Sequence, residues 1–284
     1  MGMHRSGTSA LTGVLNIMGL SLGTDLMQPA EDNPKGFCEN LKVVDFNDML
    51  LKKLSSSWDD LFSLPDKWQD QDEIFDLYDQ AKHLLLEEYG ESDIFSIKDP
   101  RMCLLFPFWQ RVFEVLEIEI KIILPYRNPL EVAKSLEKRN GFPQKRSLIL
   151  WSKHVLEAEY NSRSHDRIFI SYNDLLNQTE SVIMAVQDRL GLFFPLEYKD
   201  VKGEIDLFLE KSLKHENMNE IINVSVPKFV EESLSFYQKA VKEGVNSDDE
   251  RLFDRSRDEY NRANYYYLNG SPLHDILEET KEEL

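Results

Sequence analysis

The stretch Gly2-Met3-His4-Arg5-Ser6-Gly7-Thr8-Ser9 sets two glycines four residues apart, with an arginine between them and hydroxyls directly behind. Leu11, Val14, Leu15 and Met18 then recur at helical spacing, with Gly19 as a stop. A glycine-framed turn that opens onto a helix aims unsatisfied amides and the positive end of the helix dipole at one spot. That spot suits a phosphate. The nucleoside-triphosphate version of such a loop needs lysine after the second glycine, to reach β- and γ-phosphates, and a hydroxyl to hold magnesium. Here Thr8 stands in the lysine position and the basic residue is Arg5, so ATP or GTP hydrolysis is disfavoured.

Two more segments carry cations where a ligand would sit. In "YRNPLEVAKSL", Arg127 ends an apolar strand pattern and Ser135 lies eight residues on, inside the next helix. In open parallel sheets, ligands bind at the carboxyl ends of strands. A guanidinium there can fork onto a phosphate, with the serine hydroxyl as a second donor. In "SIKDPRM", Lys98 follows a short strand pattern, and its point charge could stabilise a leaving group.

The elements that must position these residues alternate through the middle of the chain. Residues 93–97 and 119–126 read as strands and "RIFISY" as a third. "CLLFPFWQRVFEVL", "PLEVAKSLEKRNG", "SLILWSKHVLEAEYNSR" and "NDLLNQTESVIMAVQDRLG" read as helices, the last entered through Asn173 or Asp174. Residues 21–42 read as a long loop and 43–90 as mostly helical. The alternation predicts an α/β fold, a mainly parallel sheet of the P-loop type flanked by helices. Beyond residue 220 the strands stop. Residues 1–220 are expected to form the catalytic domain and 221–284 an acidic, mostly helical extension.

Composition narrows the function classes. With 33 basic against 51 acidic residues among 284, the net charge is −18, so a broad nucleic-acid footprint is absent and any anion site must concentrate its few cations. Cys38 and Cys103 have no metal or redox spacing. No run of about 18 apolar residues is present, and the first twenty residues do not read as a signal peptide. A soluble, cytoplasmic protein is expected.

Taken in order, the three cationic segments resemble those of the PAPS-dependent sulfotransferases, in particular the bacterial members and the tyrosylprotein and carbohydrate branch. PAPS is 3′-phosphoadenosine 5′-phosphosulfate. The resemblance spans about residues 1–215 and includes "EDNPKGF" and the "SYNDLL" around Tyr172. It implies transfer of a sulfuryl group from PAPS to a hydroxyl acceptor such as a glycan, without a metal. It implies that Arg5, Ser6, Gly7, Thr8 and Ser9 hold the 5′-phosphosulfate and that Arg127 and Ser135 hold the 3′-phosphate. Lys98 would be the catalytic lysine, stabilising the charge that develops on the leaving phosphate together with Arg5 and the loop amides, and Lys211, Lys214 or His215 would add a basic contact. The general base would lie after the first helix, where Glu31, Asp32 and Glu39 are available. Glu39 is favoured because it follows the "NPKGF" turn and begins a helix, with His4 as an alternative. Lys202-Gly203 is similar to a Lys-Gly of the cytosolic enzymes. One departure stands out: the family's first strand precedes the loop, whereas only Met1 stands before Gly2 here. The sheet is then expected to lack its central strand unless the natural chain begins upstream or another segment replaces it. A P-loop small-molecule kinase and a catalytically silent nucleotide-binding domain are the competing readings.

Overall fold

The computed structural model describes residues 1–29, 36–210, 226–243 and 247–268. The glycine turn feeds directly into Thr8–Ile17 (α1). Leu41–Lys53 (α2), Asp72–Tyr89 (α3) and Met102–Val115 (α4) precede the strand Lys121–Tyr126 (β1). Pro129–Asn140 (α5) and Gln144–Asn161 (α6) lead to Asp166–Ser171 (β2). Tyr172–Asn177 (α7), Thr179–Leu190 (α8), Tyr198–Glu210 (α9), Lys228–Glu243 (α10) and Ser247–Leu268 (α11) follow.

β1 and β2 pair in parallel, from Lys121 opposite Asp166 to Tyr126 opposite Ser171. Because side chains alternate along a strand, each face of this ribbon must find its own cover. Ile122, Leu124 and Phe169 join the core formed by α3, α4, α6 and Tyr237 of α10. Ile168, Ile170 and Ile123 pack on the other side with Leu11, Val14 and Leu15 of α1 and with Ile183 and Val186 of α8. Helices on both faces of a parallel pair make the architecture α/β. The C-terminal helices are part of the same packing: Tyr237 is fully buried and its hydroxyl donates to the Leu124 carbonyl at 2.7 Å.

Two expectations about elements need correction. Residues 93–97 form no strand; Phe95 makes an isolated parallel bridge to Ser21. A 780 Å³ cleft separates them from β1, bounded by Ile94–Lys98, by residues 118–123, by Leu11 and Leu15, and by Phe106 and Phe113. A segment held on one side by a single bridge, with its other edge out of hydrogen-bonding reach, cannot build a ladder. Among the described residues the sheet thus has two strands, not the larger parallel sheet expected. Met1, which also lines this cleft, donates its ammonium to the Ile123 carbonyl of β1 at 2.7 Å. Residues 43–90 are mostly helical, as expected, with an irregular segment between α2 and the short turn Trp68–Asp70. Second, "NDLLNQTESVIMAVQDRLG" is two helices. Ser171, not Asn173 or Asp174, caps the first by accepting from Asp174 N at 3.3 Å, and Gln178 leaves helical geometry between them.

Candidate functional site

The glycine turn is wound tightly. Met3 is anchored in the core, Ser6 N donates to the Met3 carbonyl, and both Arg5 (φ 66°) and Gly7 (φ 83°) are left-handed. Left-handed geometry costs a non-glycine residue about 1 kcal/mol, so at Arg5 the surroundings must enforce it. They do so from two sides. Arg127 Nη1 donates to the Arg5 carbonyl at 3.1 Å, and the Tyr172 ring lies flush against Gly7. A Cβ at Gly7 would come within 2.1 Å of Tyr172 Cδ2. Gly7→Ala combines that clash with a disfavoured φ. It is expected to destabilise the protein by about 2–4 kcal/mol, measured as a fall in Tm with the loop displaced. Because no side chain caps α1, its first-turn amides open toward whatever the loop faces. The Ser6 hydroxyl is buried with no partner.

Arg5, Gly7, Arg127, Ser135 and Tyr172 converge. Arg5 Nε donates to Ser135 Oγ at 2.7 Å. Asn128 accepts from Leu130 N and Pro129 sits in the first turn, so α5 begins immediately after Arg127 and carries Ser135 back over the loop. Arg127 lies with its Cζ 5.0 Å from the Tyr172 ring centroid. Its Nε donates to Glu131 at 2.8 Å, a carboxylate that sequence reasoning missed although it stands only four residues on, in the first turn of α5.

A second cluster forms at the other side of the α1 N-terminus. An ammonium has three protons, and Lys98 places all three: on Ser9 Oγ at 3.1 Å, on the Phe37 carbonyl at 2.8 Å and on the Glu39 carboxylate. Ser9 Oγ donates to the same Phe37 carbonyl at 3.0 Å. Glu39 is 5% exposed, and burial raises its pKa above the ordinary carboxylate value against the opposing pull of Lys98. It does not begin the helix as expected but sits immediately before the cap; Asn40 is the cap and accepts from Val43 N at 3.1 Å.

The surroundings hold both partners still. Asn40 Nδ2 donates to Glu88 at 2.6 Å, and the same carboxylate accepts from Thr24 N and Oγ1 and pairs with Lys42. Burial alone would raise the Glu88 pKa, but these donors outweigh it and bring it down to about 2. On the Lys98 side, Asp99 accepts from Arg101 N and Nη1 and from Asn47 Nδ2, while Arg101 forks onto Asp48. Thus the Asp and Arg of "SIKDPRM" fix the turn that presents the lysine.

Other candidates fall elsewhere. Lys211, Lys214 and His215, with Glu31 and Asp32, lie outside the described residues. Lys202 points from α9 into solvent and pairs with Asp206. His4 is packed against Trp58, ring centroids 4.3 Å apart, and burial followed by nearby cations drives its pKa well below the usual value. Among the described residues no acidic, histidine or cysteine group of three or more could hold a metal ion, and no helix is long and apolar enough to cross a membrane. No family model matches the chain, and neither a curated protein nor a solved structure matches it.

Proposed function

We propose that the chain is a PAPS-dependent sulfotransferase acting on a hydroxyl acceptor, with a glycan as the acceptor class. One observation carries the reading: the Arg5–Ser135 hydrogen bond, with Arg127 on the Arg5 carbonyl, joins the glycine loop to the mid-chain arginine–serine motif in one continuous site. Two anion-binding elements side by side suit a nucleotide phosphorylated at both ends of its ribose, and such a ligand needs no lysine for a β/γ chain.

The two clusters divide the work. Arg127 and Ser135 would hold the 3′-phosphate end, with Tyr172 as backing, and Arg5, whose Nε donates to Ser135 Oγ, would link that end to the 5′-phosphosulfate loop. The α1 amides with Ser6, Thr8 and Ser9 would receive the 5′-phosphosulfate. The acceptor oxygen attacks sulfur in line while the bond from sulfur to the bridging phosphate oxygen breaks. The hydroxyl proton passes to Glu39, and the electron pair stays on the leaving phosphate. Since Lys98 has no spare proton at rest, it must exchange one of its acceptors, Ser9 Oγ, for the bridging oxygen as charge develops there. The Glu39–Lys98 contact then couples base and electrophilic stabiliser.

The test is transfer of radiolabelled sulfate from PAPS to glycan hydroxyls without added metal. Label in the glycan together with released adenosine 3′,5′-bisphosphate supports the reading. Magnesium-dependent phosphate transfer from ATP would replace it with the kinase alternative, whereas bisphosphate binding without turnover of PAPS would indicate a silent binding domain.

A further inference from the structure

Residues 54–67, between α2 and α3, have no regular structure, yet two helices, α6 and α11, grip them. The buried Lys153 of α6 donates to the carbonyls of Asp60 at 2.8 Å and Phe62 at 2.6 Å. Arg146 donates to the Asp59 carbonyl and carboxylate at 3.1 and 3.0 Å, and the Tyr260 hydroxyl of α11 donates to the Leu61 carbonyl. This fixed strap carries Trp58. Trp68, Trp109 and Trp151 are core residues, whereas Trp58 is partly exposed.

Around that indole the surface is unusual for so acidic a chain. Phe142 lies 6.0 Å from it between ring centroids, tilted by 30°. Arg139 sits over the Trp58 ring at 5.3 Å and Arg146 over Phe142 at 4.4 Å. Residues 138–146 hold four cations (Lys138, Arg139, Lys145 and Arg146) and no acid, in a protein of net charge −18. The platform borders the site already described. Arg139 stands one helical turn beyond Ser135 on α5 and so shares its face, and Ser135 takes the Arg5 hydrogen bond. Trp58 packs, tilted by 52°, against His4 of the glycine loop itself, whose buried Nε2 has no hydrogen-bond partner.

We propose that Trp58 and Phe142, with Arg139 and Arg146, form the acceptor subsite, and that it takes an acidic glycan. The inference rests on the sulfotransferase reading. The apolar face of a pyranose covers an indole at little entropic cost when the indole is already fixed. A planar guanidinium steadied on an aromatic ring presents its fork to a carboxylate or sulfate on the same sugar chain.

The full-length protein, saturated with adenosine 3′,5′-bisphosphate, would be titrated with a chondroitin tetrasaccharide and with neutral chitotetraose. Tryptophan emission and calorimetry are the readouts. The acidic oligosaccharide should quench emission and bind roughly tenfold tighter than the neutral one. Trp58→Ala should lose at least that factor and Trp58→Phe should retain most of the affinity. Arg139→Gln should erase the preference for the acidic chain, with the bisphosphate Kd unchanged in all three variants. Equal binding of the two oligosaccharides, or no binding of either, overturns the proposal. So does a weaker bisphosphate Kd in Trp58→Ala, which would make the indole an adenine platform. If wild-type protein does not bind bisphosphate, the sulfotransferase reading itself has failed. The same oligosaccharide titration without nucleotide then judges the platform on its own.

Discussion

Arg127→Ala is expected to weaken binding of adenosine 3′,5′-bisphosphate by roughly 30- to 150-fold. That is the loss of a charge-assisted forked contact worth about 2–3 kcal/mol. The effect has two parts. The guanidinium disappears from the phosphate, and Glu131, which pairs with Arg127 at 2.8 Å and is largely buried, is left facing an anionic ligand. Arg127→Ala with Glu131→Gln should therefore recover part of the loss. Arg127→Lys should not restore full affinity, because an ammonium cannot hold Glu131, the Arg5 carbonyl and a phosphate in one plane. Calorimetric titration of the three variants, with Tm recorded to confirm folding, distinguishes a ligand contact from a purely structural one. A structural role alone would lower Tm and leave Kd within a few-fold.

Glu39→Gln should lower kcat by about 10²- to 10³-fold with the bisphosphate Kd nearly unchanged, since glutamine keeps the shape and an acceptor for Lys98 but cannot take a proton. The pH profile gives an independent check. Burial raises the Glu39 pKa, so the fraction ionised, and kcat with it, should fall as pH is lowered through a value above the ordinary carboxylate range. That limb should vanish in Glu39→Gln. The linkage to stability has the opposite sense. With its folded pKa raised, Glu39 favours the folded state below its unfolded pKa and loses that contribution as pH rises through the folded one. Full rate in Glu39→Gln would move the proton to another group.

How far the site could be read from residue types differs from one segment to the next. The glycine turn was legible because φ > 0 at Gly7 and a helix directly behind it are local facts. α5 was legible from Pro129 at its start and Gly141, left-handed at φ 69°, at its end. The meeting of Arg5 with Ser135 could be anticipated only from resemblance, since 130 residues separate them and no local pattern encodes that distance. Glu131, Asp99, Arg101 and Glu88 were not singled out at all. Their roles are to neutralise or orient a neighbour, and an acidic chain contains many carboxylates with the same local spacing. Residues 93–97 failed for a different reason. Their apolar pattern suits a strand, but a strand exists only if a partner edge comes within reach, and here a cleft intervenes. Lys98 nevertheless ends up beside Ser9, because the buried Asp99–Arg101–Asn47 network, rather than a sheet ladder, positions it.

Calorimetric titration of the wild-type chain with adenosine 3′,5′-bisphosphate, adenosine 5′-monophosphate and ATP, each with and without magnesium, bears most directly on the two-ended site. The bisphosphate should bind at least tenfold tighter than the monophosphate, because only it engages both the loop and the Arg127–Ser135 pair, and magnesium should make no difference. Equal affinity for the two adenosine phosphates, or tighter magnesium-dependent binding of ATP, would contradict it.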